Sequence, residues 1–224
     1  MGEPAVRRTV LIMTTLAILL GSPPIAEKKA AAAKSAPSTQ PTSAIAISPI
    51  FSQLVMFSFP LRFKTAFEKT AGKSYIREAV LKSETIDQWS EMITVTGAKG
   101  LAANPTVTAQ SMTENMATGY KRACPDTFAS KPFGAQKIGG QDAFIAVVSC
   151  GNAGEHSESA VIVAIKGSAD YYTIQWAERG PASNQPMTLD DAKWTERLRE
   201  LGPIRVCPLV AGEPAPYPSC LNQN

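Results

Sequence analysis

FGAQKIGGQDAFIAVVSC, residues 133–150, carries the clearest strand signal in the chain. Two segments with strand character, residues 133–138 and 141–150, are separated only by Gly139 and Gly140. A two-residue turn of this kind needs positive φ angles, which glycine adopts without steric cost. The stretch therefore predicts an antiparallel β-hairpin.

Two further strands are predicted directly after this hairpin. Residues 159–166 are nearly all apolar, which is typical of a central strand covered on both faces. In residues 170–178, Tyr172, Ile174 and Trp176 occupy alternate positions, as they would in a strand with one buried face. Together with the hairpin, these segments predict a four-strand antiparallel meander.

Upstream of the hairpin, the sequence predicts three more strands. Residues 51–63 form the first dense apolar cluster, with a strand that ends near Phe59 because Pro60 cannot continue a hydrogen-bonded ladder. Residues 74–81 are the second of these strands. Residues 89–97 are the third, since they are rich in β-branched and aromatic side chains.

A helix is predicted between these two groups of strands. Asn104 is expected to cap it and Pro105 to occupy its first turn, and Pro125 ends it. The residues at helical spacing on its core-facing side are Met112, Met116, Tyr120 and Ala123.

A last helix is predicted after the meander. Thr188 is expected to cap it, with Asp190 and Asp191 in its first turn, where carboxylates stabilise the positive end of the helix dipole. Gly202 and Pro203 end it. Its apolar side consists of Leu189, Trp194, Leu198 and Leu201. The order of elements predicts an α+β fold, in which two main helices pack on a mostly antiparallel sheet built from the N-terminal strands and the meander.

This order of elements resembles the PsbP-like α/β/α sandwich. The resemblance rests on the element Ser58-Phe59-Pro60, on the approach to the third strand in residues 84–89, and on a strand meander closed by a helix. It covers residues 51–201, and the cysteine-bearing tail from residue 203 departs from the pattern. Small exported proteins of proteobacteria often resemble this fold, so the resemblance implies an exported protein. It implies no functional residue.

The N-terminal segment predicts export. Arg7 and Arg8 precede an uncharged apolar run, residues 10–20, which is too short to span a bilayer and is followed by helix-breaking residues. These features predict a signal peptide over residues 1–26. Cleavage further along, in residues 30–33, is one alternative, and an uncleaved segment that anchors the protein in the membrane is another.

Residues 27–48 consist almost entirely of Ala, Ser, Thr, Pro and Lys, and they contain no aromatic residue. Such a segment buries too little apolar surface to offset its ordering entropy. It predicts a disordered tether, which is followed by one globular domain over residues 49–224.

The four cysteines predict two disulfide bonds, because an exported chain meets an oxidising compartment. Three pairings are possible. We expect Cys124 to pair with Cys150, which joins the first helix to a central strand, and Cys207 to pair with Cys220, which closes a peripheral proline-rich tail. Zinc or redox chemistry would require a C-x-x-C pair or a second ligand cluster, and the sequence has neither.

The charge distribution argues against nucleic acid as a partner. The chain has 22 basic and 19 acidic residues, of which five basic and two acidic residues lie in the first 36 positions. The remainder therefore carries 17 of each sign, and a neutral domain lacks the clustered basic surface that phosphates require.

The sequence contains weak candidates for chemistry. His156 is the only histidine, and with Glu155 and Glu158 it could offer three metal ligands, although a polar loop between strands is expected to be solvated. We expect no cofactor. The aromatic strand with Tyr171 and Trp176 could present a stacking face to a ligand, but packing in the core is the favoured interpretation.

The leading functional hypothesis is a non-catalytic binding module, periplasmic or secreted, that binds an envelope protein or a small ligand through one face of its sheet. It touches the membrane only if the signal segment is left uncleaved. The alternative is an envelope hydrolase that uses His156 or convergent carboxylates.

Export predicts that the protein produced in a Gram-negative host loses its first 26 residues and fractionates with the periplasm or the medium. Intact mass of the purified protein and subcellular fractionation measure both outcomes. Full-length protein with Met1 in the soluble cytoplasmic fraction would contradict the prediction.

Overall fold

In the computed structural model, which describes residues 41–222, two antiparallel sheets pack with three helices. The strands are β1 (Ser43–Ile50), β2 (Gln53–Pro60), β3 (Phe63–Ala71), β4 (Ser74–Leu81), β5 (Glu91–Ala98), β6 (Phe128–Ile138), β7 (Gln141–Cys150), β8 (His156–Lys166), β9 (Tyr171–Pro181) and β10 (Arg205–Pro208). The helices are α1 (Ala109–Ala123), α2 (Asp191–Leu201) and α3 (Pro218–Leu221). The predicted α+β class is confirmed.

The larger sheet has seven strands in the order β3-β4-β5-β9-β8-β7-β6, and the smaller sheet has the order β1-β2-β10. The predicted meander is confirmed as β6 to β9, and its turn glycines Gly139 and Gly140 have φ angles of 55° and 81°. In β8 the six residues from Ala160 to Ile165 are fully buried, which confirms a central strand covered on both faces.

The two faces of the larger sheet are covered differently. On one face, the smaller sheet and α2 bury a continuous apolar core that includes Phe57, Trp176 and Trp194. On the other face, α1 packs against β7 and β8, where Phe144 and Ala164 lie. Because α1 is the helix that covers this second face, the part formed by β4, β5 and β9 lies open beside it.

Three strands were not predicted, and these are β1, β3 and β10. Residues 43–48, which the composition assigns to a tether, belong to β1. This strand pairs with β2 along its whole length, from Ser43 opposite Pro60 to Ile50 opposite Gln53. The prediction is wrong there because the neighbouring strand, rather than the segment's own apolar content, supplies the stabilising hydrogen bonds. The strand β3 was missed because Phe63 is its one buried residue, so it shows no apolar pattern.

The first helix begins later than predicted. The cap is Thr108 rather than Asn104, because the Thr108 hydroxyl accepts a hydrogen bond from the Ser111 N–H at 3.0 Å and the Ser111 hydroxyl accepts one from the Thr108 N–H at 2.9 Å. Pro105 lies in the preceding turn. Ala123, expected to face the core, is exposed.

The last helix is capped by Asp190 rather than Thr188. The Asp190 carboxylate accepts hydrogen bonds from the N–H groups of Ala192 and Lys193 at 2.9 and 3.2 Å. The predicted end of the helix is confirmed, since Gly202 is its C-cap. Of its predicted apolar side, Trp194 and Leu201 are buried and Leu198 packs against the core, whereas Leu189 packs there from just before the helix. No helix among residues 41–222 combines the length and the apolar character needed to cross a bilayer.

Both expected disulfide bonds form, Cys124 with Cys150 and Cys207 with Cys220. The expectation that the tail is peripheral is wrong. Its strand β10 pairs with β2, and the Cys207–Cys220 bond is fully buried against Leu54. The tail is therefore an integral part of the smaller sheet.

A buried carboxylate joins the two sheets. Asp170, which is 1% exposed, accepts hydrogen bonds from the N–H and hydroxyl of Ser52 in the β1–β2 turn, at 3.2 and 2.6 Å. It also accepts one from the Gly100 N–H at 2.7 Å and one from the Tyr172 hydroxyl at 3.1 Å. Burial alone would raise the pKa of Asp170, but these hydrogen bonds lower it below its usual value of 3.8.

Replacing Asp170 by Asn is expected to lower the free energy of unfolding by about 3 kcal/mol at neutral pH, because charged hydrogen bonds to buried donors are lost. A pKa lowered by folding contributes stability above pH 3.8 that is lost as the pH falls through the folded value, so the difference from wild type should shrink in acid. Urea unfolding across this pH range measures the effect. The exposed Asp126→Asn substitution is the control, and an equal loss in both variants would contradict the prediction.

Candidate functional site

A groove of about 390 Å³ runs over the open part of the larger sheet. Its floor is formed by β4, β5 and β9. Tyr120 of α1 lies on one side, and Ile86 and Trp89 of the β4–β5 loop lie at the other. The groove therefore lies on the same face of the larger sheet as α1.

The β4–β5 loop is held in place by hydrogen bonds at both of its ends. The Glu84 carboxylate accepts the Ser90 N–H at 2.9 Å, and the Ser90 carbonyl accepts the Arg179 N–H of β9 at 2.8 Å. Trp89 is therefore fixed beside the sheet, with the Arg179 guanidinium carbon 3.7 Å from its ring centroid.

A row of three polar side chains crosses the floor. Glu78 of β4 lies opposite Thr94 of β5, and Thr94 lies opposite Gln175 of β9. Neighbouring strands are about 4.8 Å apart, so the three side chains are evenly spaced. Within residues 41–222, none of the three makes a side-chain hydrogen bond or ion pair. The row is therefore free to bind a ligand.

Among residues 41–222, no lysine or arginine pairs with the Glu78 carboxylate. Burial raises the pKa of its carboxyl above the usual value of 4.5, and no other group opposes that shift. Phe67 lies opposite Glu78 on the edge strand β3 and is 40% exposed. Lys64 and Lys69 lie on the same face of β3, on either side of Phe67, and both are exposed.

At the other end of the groove, polar groups already satisfy one another. The Glu158 carboxylate accepts hydrogen bonds from the Tyr120 hydroxyl and from the Arg179 Nε–H, each at 3.0 Å. Burial, and then the Glu158 charge, raise the pKa of Tyr120 well above its usual value. The His156 Nε2 lies 3.8 Å from the same carboxylate. Tyr120, Glu158 and Arg179 form the end wall of the groove.

The candidate metal ligands are not brought together. His156 and Glu158 lie on one face of β8, but Glu155 is exposed in the preceding loop, and Arg179 already neutralises Glu158. Across residues 41–222, no three or more His, Cys, Asp or Glu side chains are grouped so that they could hold a metal ion.

The carboxylates of the groove do not form a close pair. Glu78 shares its row with Gln175, whereas Glu158 pairs with Arg179, four residues further along β9. At about 3.3 Å per residue, the two rows are roughly 13 Å apart along the strands. In the described part of the chain, His156 contacts no serine nucleophile by hydrogen bond, and all four cysteines are in disulfides.

The aromatic strand lies in the core. Tyr171, Tyr172 and Trp176 are each at most 1% exposed. The Tyr171 hydroxyl donates to the Val107 carbonyl at 2.6 Å, and the Trp176 Nε1–H donates to Glu91 at 3.2 Å. The alternative of a stacking face is wrong, and packing in the core is confirmed.

A larger cleft, of about 500 Å³, lies between the start of α1 and the β6–β7 hairpin. Its acidic group is already paired, since the Lys137 ammonium lies 2.6 Å from the Asp142 carboxylate. We take the groove as the candidate site because its floor presents a row of unengaged polar side chains.

Comparison with known proteins gives similarity at the level of structure. No protein-family model matches the chain, and no curated protein matches it in sequence. One matching structure, a protein from Bacteroides thetaiotaomicron VPI-5482, is 13% identical with a TM-score of 0.38. That match covers 71% of this chain and 46% of the other, so the chain spans less than half of that protein.

A second match is cyanobacterial PsbP (CyanoP) from Synechocystis sp. PCC 6803. It is 11% identical with a TM-score of 0.41, and the match covers 74% of this chain and 91% of the other.

Replacing Glu78 by Gln is expected to stabilise the fold by about 0.5 kcal/mol at neutral pH, because it removes a partly buried and uncompensated charge. A carboxyl whose pKa is raised by folding destabilises the protein when ionised. The wild type should therefore gain relative stability, and the difference should close, as the pH falls through the raised pKa toward 4.5. Urea unfolding at neutral pH and at about pH 4 tests the sign.

The exposed Glu155→Gln substitution is the matched control, and it should change stability little at either pH. A destabilised Glu78→Gln variant would show that the carboxylate has a structural partner.

Proposed function

We propose that the protein is an exported, non-catalytic binding module of the cell envelope, and that it holds its ligand in the groove between α1 and the β4–β5 loop. The observation that carries this proposal is the row of Glu78, Thr94 and Gln175. Three adjacent polar side chains that have no hydrogen-bond or ion-pair partner within residues 41–222 are available to a ligand.

The groove has the dimensions and the mixed lining expected of a ligand site. Its volume of about 390 Å³ falls in the range of roughly 300–1,000 Å³ typical of pockets for small molecules or side chains. Apolar side chains beside the polar row supply contact area, and these are Ile76, Ile86, Trp89 and Met92.

Binding is favoured over hydrolysis because the groups that catalysis would require are engaged or separated. Glu158 is held by Tyr120 and Arg179, and it lies far along the strands from Glu78. A general acid and base must both reach one reacting bond.

Two disulfide bonds support an extracytoplasmic location, either periplasmic or secreted, because such bonds persist in oxidising compartments. The predicted signal peptide over residues 1–26 lies outside the described residues, and it is part of this proposal.

Filling the groove should weaken ligand binding. A library of small polar fragments, screened by two-dimensional NMR of the ¹⁵N-labelled domain, is expected to perturb the amides around Glu78, Thr94 and Gln175. The Gln175→Trp substitution places a large ring in the groove, and it should weaken these fragments at least about tenfold.

The same change at an exposed loop position, Gln185→Trp, is the control and should leave fragment affinity unchanged. Thermal melting of both variants shows that they fold. Fragment shifts confined to the cleft at the start of α1, or equal affinity in Gln175→Trp, would overturn the proposal.

A further inference from the structure

We propose that the ligand is an extended segment of a partner polypeptide that places an arginine side chain over Glu78, Thr94 and Gln175, with acidic residues on either side of that arginine. This inference rests on the proposed function of the groove. It follows from the charges and hydrogen-bonding atoms of the floor and of its β3 rim.

The negative charge of Glu78 at the centre of the site favours a cationic ligand group. Glu78 carries an ionisable carboxylate that is partly buried and that no arginine or lysine of residues 41–222 contacts within 4 Å. Arg77, its neighbour in sequence, points to the opposite face, where it donates to Ser48 at 2.6 Å and lies over Phe57. A ligand cation would be the first positive partner of Glu78.

The row favours a guanidinium over an ammonium. Its three side chains present a carboxylate, a hydroxyl oxygen and an amide oxygen across strands about 4.8 Å apart. A guanidinium has five N–H donors in a planar fork, so it can donate to more than one of these acceptors at once. An ammonium is a compact charge that covers less of the row.

The exposed ring of Phe67 supports the same assignment. It lies opposite Glu78 in the β3–β4 pairing, at the end of the polar row. Arginine stacks on aromatic faces while it donates hydrogen bonds at its edge. The two guanidinium groups over Trp176 and the one over Trp89 show that this fold uses that contact elsewhere.

The positive charges of the β3 rim favour acidic residues on either side of the ligand's arginine. Lys64 and Lys69 flank Phe67 on the groove face, so the surface is negative at the centre and positive on both sides. In an extended peptide, residues two positions apart lie on the same face, about 6.6 Å from each other. The complementary sequence is therefore Glu-x-Arg-x-Glu.

The test is an NMR titration of the ¹⁵N-labelled domain with the blocked peptide Gly-Glu-Thr-Arg-Thr-Glu-Gly. Matched peptides carry citrulline, the uncharged analogue, or lysine in place of arginine, and a fourth has both glutamates replaced by glutamine. We expect the arginine peptide to bind about tenfold more tightly than the citrulline peptide, with the lysine peptide between them.

Two variants assign the contacts. Glu78→Gln should remove the preference for arginine over citrulline, whereas Glu155→Gln should preserve it. Lys64→Gln combined with Lys69→Gln should remove the preference for glutamate over glutamine in the flanks, which should also weaken with added salt. Both preferences should be read from shifts of amides in the groove.

Equal binding of the arginine and citrulline peptides in the groove would overturn this inference and leave the proposed function standing. Absence of binding by all four peptides, while fragments still bind in the groove, would have the same meaning. An arginine preference that survives in Glu78→Gln would also overturn it.

Discussion

The carboxylate of Asp170 is the interaction on which the arrangement of the two sheets depends. It lies at the start of β9 in the larger sheet, and it accepts hydrogen bonds from Ser52 in the smaller sheet and from Gly100 at the end of β5. Gln53 adds a second tie, since its amide oxygen accepts the Ser168 N–H at 2.8 Å. Because the chain passes from Gly100 through a 3₁₀ turn into α1, the same carboxylate helps to position the helix that borders the groove.

Carboxylates on the two faces of the larger sheet differ in their cationic partners. Near Trp176, burial alone would raise the pKa of Glu178, but hydrogen bonds from Lys193 and Arg197 lower it. Arg62 and Arg197 also pair with Glu200, so every carboxylate there has a cation. On the groove face, Glu158 pairs with Arg179, whereas Glu78 pairs with no lysine or arginine of residues 41–222. Glu78 is therefore the carboxylate of the groove whose charge is left uncompensated.

The sequence predicts those parts of the fold that depend on local chemistry. The hairpin at Gly139 and Gly140 was predicted because a two-residue turn has its own conformational signature. Both disulfides were predicted from the expected export of the chain and from the elements that the cysteines join. The strands β1 and β3 were not, since their stability comes from partners rather than from their own apolar content. The polar row was not predicted for a related reason. Each of its residues lies in or beside a predicted strand, but Thr94 and Gln175 become neighbours only through the pairing of β5 with β9, which no local sequence pattern encodes.

The placement of β10 also constrains when the fold can be completed. The strand β2 has β1 on one side and β10 on the other, so a central strand of the smaller sheet waits for residues 205–208 before its second edge is paired. A chain that leaves a ribosome or a translocation channel from its N-terminus can form β1 and β2 early, but it leaves the backbone edge of β2 unpaired until almost all of the described residues have emerged. Until then the open edge of β2 is a template on which another strand can pair, so the unfinished chain is exposed to non-native association at this edge.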